Sequence, residues 1–408
     1  MKKHTFYRIL GMDGFSFRWL RAFLVAFLIF TLLSIFSATA EDETGDEAEK
    51  EEKNVDVRVT ELRARISPQL EIVLPSGNIY EHFVTNFNNL EIAFNLSFSV
   101  LGNTLGGDIT FAYPMNVLSP SLSFYQQLDF ENYFQPAISG SDLTLVPTSK
   151  YIMRKRGFTL GLSYEVLRDF HLVPAFSVSD IFKGSLTENR VLEDGVDIIP
   201  QMGFVYDSVR AEDTERKPIF TGLYAETIFD VRYRNEFRNP IEVNNRNHLL
   251  LSHNWRRTWF FEERATLTYP VTIWDKERAS FYSLGGFHTV RGYEEESIHA
   301  LRFFLFSLNL EREILNDREV RLKLFKRQVR MHQYRIFFLF DSLFTQDRLS
   351  LEAPVDYYSS TGMGVAFSLS GRQRTHFQLR FSAAQPLTER FAPVIYFRTS
   401  LFHFETQL

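Results

Sequence analysis

The stretch Glu91-Ile92-Ala93-Phe94-Asn95-Leu96-Ser97-Phe98-Ser99-Val100 alternates with a strict period of two. Ile92, Phe94, Leu96, Phe98 and Val100 fall on one face of an extended strand, and Ala93, Asn95, Ser97 and Ser99 fall on the other. The pattern returns at Phe158, Leu160, Leu162 and Tyr164, set against Thr159, Gly161, Ser163 and Glu165. Near the C-terminus Phe377, Leu379 and Phe381 interleave with His376, Gln378, Arg380 and Ser382. That polar face carries an imidazole, an amide and a guanidinium, which a dry core would not accept. A soluble β-sandwich shares the alternation. The bulk of the apolar faces, mostly Phe and Leu over about ten residues per strand, favours lipid outside and water inside.

Composition agrees with this reading. Phe occurs 42 times and Tyr 17 times, yet charged residues still make up 23% and mean hydropathy is only -0.16. A helical membrane protein would repeat apolar runs of about 20 residues. Only the N-terminal run Ala22 to Ser37 approaches that. Barrels conceal their hydrophobicity by alternation. Cysteine is absent, which excludes disulfides, thiolate metal sites and cysteine nucleophiles. The net charge of -5, with its largest acidic block between Glu41 and Lys53, gives no basic excess of the kind nucleic acid requires.

Lys2, Lys3, Arg8, Arg18 and Arg21 precede the apolar run, and Ala38-Thr39-Ala40 follows it. Residues 1–40 therefore read as a secretory signal peptide, the alternative being an uncleaved anchor. Residues 41–56 read as an acidic, flexible periplasmic tail, because EDETGDEAEKEEK has eight acidic residues and no aromatic one. Residues 57–408 are expected to form the barrel. The expected strands lie at 57–66, 69–74, 87–101, 107–115, 118–130, 151–165, 170–179, 198–208, 219–233, 246–257 and 259–271, then 301–313, 333–342, 359–369, 375–384 and 392–405. They number sixteen, an even count that suits a bacterial outer-membrane barrel. Residues 131–150, 180–197, 234–245 and 272–300 would be outer loops, and 166–169 and Arg256-Arg257 periplasmic turns. Residues 314–332, with the basic run Arg321 to Arg330, would then be a long connection on the side where short turns belong.

Three segments resemble the BamA/TamA-like outer-membrane assembly factors and their two-partner-secretion relatives. In SLGGFHTVRGYEEES, Val290-Arg291-Gly292-Tyr293 matches the V-R-G-[FY] tip of the family's long loop, which folds back into the barrel. In GFVYDSVRAEDTERKPIFTG, Tyr206, Asp207 and Gly222 match a strand end and the turn that follows it, with a stretched spacing between. In IFFLFDSLF and SSTGMGVAF, Asp341, Ser360, Gly362 and Gly364 match paired strand motifs, although Leu339 stands where the family usually has Phe. No soluble POTRA repeat is expected before the barrel. The chain's end is a weakened form of the family's aromatic terminus, with Phe402 and Phe404 followed by Leu408.

The resemblance implies a protein that helps insert or translocate polypeptides at the bacterial outer membrane, with a weak seam between first and last strands. Its partners would be outer-membrane lipids, unfolded outer-membrane or secreted polypeptides, and periplasmic accessory proteins. The alternative is a passive channel or structural barrel. No enzyme is expected, since the sequence lacks a G-x-S-x-G elbow and an H-E-x-x-H pair, and His248 and His253 would face opposite sides of a strand. No cofactor or metal is implied. On the strand 333–342, Ile336, Phe338 and Phe340 should meet lipid, which turns Arg335, Phe337, Leu339 and Asp341 into the lumen. Gly292 allows a tight tip, and the Arg291 guanidinium suits bidentate contact with the Asp341 carboxylate. Otherwise Arg291 lines a wet lumen with interchangeable partners.

Overall fold

The computed structural model describes residues 63–407 except 75–77, 88–89, 100–103, 116, 140–141, 184–193, 213–218, 256–257, 277–278, 287–288, 294–296, 325–326, 349–353, 371–375, 389–392 and 403–404. The signal-peptide reading of 1–40, the acidic-tail reading of 41–56 and the start of the first expected strand lie outside the described residues. The described residues form β1 (Arg63–Leu74), β2 (Asn78–Phe87), β3 (Leu90–Ser99), β4 (Thr104–Ala112), β5 (Leu118–Ser139), β6 (Asp142–Leu167), β7 (Phe170–Lys183) and β8 (Gly195–Asp207). Next come the short β9 (Arg210–Glu212), then β10 (Ile219–Arg234), β11 (Pro240–Trp255) and β12 (Trp259–Ile273). The short β13 (Tyr282–Leu284) and β14 (Ile298–Ala300) precede β15 (Arg302–Leu324), β16 (Arg327–Gln346), β17 (Asp356–Ser370), β18 (His376–Pro386), β19 (Val394–Phe402) and β20 (Glu405–Gln407).

Sixteen of these strands make one antiparallel ring, in sequence order from β1 to β19 with β9, β13 and β14 left aside. β1 pairs β19 from Gln69↔Ser400 to Leu74↔Ile395, so the ladder returns to its start. β9 prolongs the ladder beside β10, and β20 pairs the first residues of β1. A closed ring leaves no edge along its wall and satisfies backbone groups from strand to strand, which lipid requires.

The alternation sorts side chains as expected. Phe124, Leu160, Leu267, Phe338, Met363 and Phe381 stand exposed on the outer face. Polar partners meet on the inner face: the Asn95 amide donates to Asp108 at 2.9 Å, and Thr110 to Ser123 at 2.9 Å. Among the described outward residues, Thr227, Asn245 and Asn247 bond to one another and offset their own burial. His248 bonds Thr266, while His253 stacks on Phe261 at 4.7 Å, so the two imidazoles do face opposite ways.

Three expectations are corrected. The expected strands 57–66 and 69–74 are one strand, β1, which runs through Ser67-Pro68, and 78–87 is a strand in its own right. Asn78–Phe87 mixes Ile79, Glu81 and Phe83 on one face with Tyr80, His82 and Val84 on the other, so it has no apolar face to detect. Residues 131–150 are not a loop. β5 and β6 stay paired from Leu118↔Tyr164 out to Ser139↔Asp142. Residues 314–332 are likewise not a loop, because β15 and β16 pair out to Leu324↔Arg327. The connection there is residues 325–326 alone, so the short-turn side keeps its short turns. In both segments the backbone ladder continues although the sequence shows no regular alternation.

Candidate functional site

The segment between β12 and β15 carries the V-R-G-Y tip and turns into the barrel. β13 and β14 pair within it, from Tyr282↔Ala300 to Leu284↔Ile298. Leu284, Val290, Tyr293, Ile298 and Ala300 bury themselves against Phe303 and Leu305 of β15 and Leu343 of β16. These are inward residues of the wall, so the loop fills lumen.

At the tip, Arg291 and Asp341 meet. The Arg291 Nε donates to Asp341 Oδ2 at 2.8 Å, Nη2 to Oδ1 at 2.5 Å, and the Arg291 backbone N–H to Oδ2 at 2.9 Å. Ser360 Oγ lies 3.5 Å from the same carboxylate. The side chains retain only 12% and 1% exposure, so the pair is desolvated. The adjacent Gly292 N–H donates to Tyr396 OH on β19 at 2.8 Å. Tyr293 OH reaches the Ser359 carbonyl on β17 at 3.2 Å and the Thr388 hydroxyl beyond β18. Arg291, Gly292 and Tyr293 therefore bind three strands and a connection by hydrogen bonds, and Val290 adds packing in the cluster with β15 and β16.

Gly292 has φ +90, and a Cβ there would come within 3.1 Å of the Ala384 backbone. Gly292→Ala is expected to weaken tip docking by about 1–3 kcal/mol. Limited proteolysis should cut between residues 284 and 298 faster than in the parent. An unchanged cleavage rate would remove the tight-tip argument.

The other motif residues have structural settings. Asp207 Oδ1 accepts the Val209 N–H at 3.0 Å, Gly222 adopts φ 136 at the base of β10, and Ser208 bonds Leu223 across the same turn. Tyr206, next to last in β8, lies on the outer face, 38% exposed. Gly362 and Gly364 on β17 press against the backbone of β18. Gly364 also leaves room for the Phe337 ring, over which the Arg380 guanidinium lies at 3.8 Å. Leu339, which replaces the family's Phe, is buried beside Phe337 and Ala366.

A second anchor of the loop was not legible in the sequence. Arg232 on β10 donates to Asp197 on β8 and to Glu242 on β11, each at 3.1 Å, and also to the Ser280 hydroxyl of the loop. Glu242 accepts the Ser280 backbone N–H at 2.9 Å. Glu242 and Asp197 are 0% and 3% exposed at the side chain. The loop is thus tied near its start to β10 and β11 and at its tip to β16 and β19. The one available sequence signal is Asp230, Arg232 and Arg234 sharing a face of β10.

His299 on β14 lies 3.2 Å from Ser283 and edge-on to Phe281, and burial pushes its pKa down to about 4. A lowered value means that the released loop binds the proton more readily than the docked loop. Docking is therefore complete above about 6.5 and weakens as pH falls from there towards about 4. Protease sensitivity of the loop should rise over that window in the parent and stay flat in His299→Gln. The same rise in both would assign the effect elsewhere.

Neither a protein-family model nor a curated protein sequence matches the chain. Among solved structures, CdiB from Acinetobacter baumannii superposes with TM-score 0.52 at 13% identity, over 85% of this chain and 60% of that one. CdiB from Escherichia coli gives TM-score 0.55 at 12% identity, over 82% and 62%. BamA from Haemophilus ducreyi lacking POTRA domains 1–3 gives 0.51 at 13%, over 90% and 77%. The chain spans less than two thirds of either CdiB. At these identities the likeness establishes a shared barrel fold.

Proposed function

We propose that this chain is an outer-membrane barrel that assists insertion or translocation of polypeptides at the bacterial outer membrane, and that it acts without chemical catalysis. The observation that carries the proposal is the Val290–Tyr293 tip, held in the lumen by the Arg291–Asp341 pair. The exposed apolar outer face suits lipid, the fold is shared with BamA and CdiB, and the N-terminal pattern suits export. Unfolded outer-membrane or secreted polypeptides would be the cargo, with periplasmic accessory proteins as helpers.

In this proposal the seam is where β1 meets β19. Its described ladder runs from Gln69↔Ser400 to Leu74↔Ile395, and Arg63↔Gln407 to Arg65↔Glu405 pair the start of β1 with β20. Pro68 in β1, next to the last described pair Gln69↔Ser400, has no N–H to give. Depletion of the protein should lower the abundance of other outer-membrane or exported proteins. Unchanged abundance would overturn the proposal.

A passive channel is the second reading. It draws on the wall from β4 to β7, where Thr110 meets Ser123 and Thr159 meets Ser177, small neutral groups that suit a water-filled path. Ion conductance separates the two. A braced loop predicts low, flickering conductance, and a passive pore predicts large, steady steps.

A further inference from the structure

The outward face of β5, β6 and β7 is apolar for four rows and then changes character. The register sets Leu118, Tyr164 and Leu172 in one row, then Pro120 with Leu162, then Leu122, Leu160 and Phe176, then Phe124, Phe158 and Val178. Phe124, Leu160 and Tyr164 are exposed there, as lipid-facing side chains are. Away from the β6–β7 turn, the next row is Gln126, Arg156 and Asp180, and the one beyond it is Leu128, Arg154 and Phe182. Four residues separate Phe158 from Arg154, which is about 13 Å along a strand and about 10 Å along the membrane normal at the usual tilt. A headgroup layer is about 5–8 Å deep on each side of the hydrocarbon, so the two arginines stand at headgroup depth beyond the last apolar row.

The two guanidinium groups are held differently. Arg156 Nε donates to Asp180 Oδ2 at 2.9 Å, and the pair stays open to its surroundings, with side chains 56% and 42% exposed. Arg154 lies over the Phe182 ring at 4.9 Å, its Nε is buried without a hydrogen-bond acceptor, and no carboxylate among the described residues pairs with it. Residues 154 and 156 share a face, and the Asp180 carboxylate balances only one of them. A cation left without a counter-ion at the border of an apolar belt favours an anionic ligand. The planar guanidinium fork matches the oxygens of a phosphate, while its stem lies along apolar surface. Gln126 is exposed in the same row as Arg156 and Asp180. Its amide and the Asp180 carboxylate suit the hydroxyls of a sugar.

We infer that Arg154 and Arg156 seat the phosphate of a phosphorylated, acylated sugar lipid, with Gln126 and Asp180 against its sugar and its acyl chains along Phe158, Leu160 and Leu162. The short turn 168–169 marks the opposite end of these strands as periplasmic, so the lipid belongs to the exterior leaflet. The seat lies on the outer wall, away from the lumen loop and the β1–β19 seam, and does not depend on polypeptide handling.

The test uses the full-length barrel purified in detergent, with bound molecules counted by native mass spectrometry. The probes are diphosphoryl lipid A, the same lipid stripped of its phosphates, phosphatidylglycerol and inorganic phosphate. Diphosphoryl lipid A should be held about tenfold more tightly than any of the other three. Arg154→Gln with Arg156→Gln should remove that advantage, and Arg154→Lys should keep only part of it, because an ammonium presents no fork. Retention that ignores the phosphates or survives the double exchange would overturn the inference. So would retention of phosphatidylglycerol or inorganic phosphate as tight as that of diphosphoryl lipid A.

A second measurement needs no substitution. In the parent protein, diphosphoryl lipid A should slow phenylglyoxal modification of Arg154 and Arg156 by about tenfold, read from the masses of the peptides that carry them, and the dephosphorylated lipid should not. Equal modification with the two lipids would also overturn the inference.

Discussion

Reversing the charge of Arg291 or of Asp341 should each loosen the barrel, and reversing both should restore part of the loss. Asp341 is 0% exposed and takes two guanidinium bonds and one backbone N–H from the loop. Removing one partner strands the other charge in a desolvated site, at a cost of about 3–5 kcal/mol. Arg291→Asp and Asp341→Arg should therefore both lose the heat-modifiable gel shift of a closed barrel at lower temperature than the parent. The double exchange rebuilds the ion pair, but the Arg291 backbone N–H would then face a guanidinium, so rescue is incomplete. Two single variants that match the parent, or a double that merely sums their losses, would break the pairing argument.

The second large effect concerns the loop's other anchor. Glu242→Ala removes the acceptor of both Arg232 and the Ser280 N–H in a fully buried place. Arg232 keeps Asp197, which Arg234 also engages, so the charge is not left wholly alone. A loss of about 3 kcal/mol is expected, the lower end for a broken buried pair. Glu242→Gln should lose less, because an amide oxygen still accepts. Combined with Arg291→Asp, the loss should be near the sum, since the anchors lie on different strands and share no partner. Thermal unfolding followed by circular dichroism reads these differences. A Glu242→Ala barrel as stable as the parent would show that the first anchor holds nothing.

The sequence disclosed the architecture wherever lipid imposed a pattern. Glu91–Ser99 lies within β3, and Ile336, Phe338 and Phe340 share the outward face of β16 while Arg335, Phe337 and Asp341 are buried inside. The meeting of Arg291 with Asp341 was legible because a strand parity and a motif converged on it. Three things were not. Asn78–Phe87 has apolar residues on both faces, so its period is invisible. The segments 131–150 and 314–332 continue their ladders without a regular alternation, and only backbone pairing marks them as strands. The Arg232 anchor joins β8, β10, β11 and the loop, residues that approach each other only once the ring has closed and the loop has turned inward.

The most direct test of the functional proposal is reconstitution. Purified parent protein in lipid vesicles would be offered an unfolded outer-membrane barrel polypeptide, with folding followed by its heat-modifiable band. The proposal predicts faster folding with the parent than with empty vesicles, and loss of that acceleration with Asp341→Arg. Equal folding rates with parent and empty vesicles, together with large steady ion conductance from the same preparation, would contradict it and establish a passive pore.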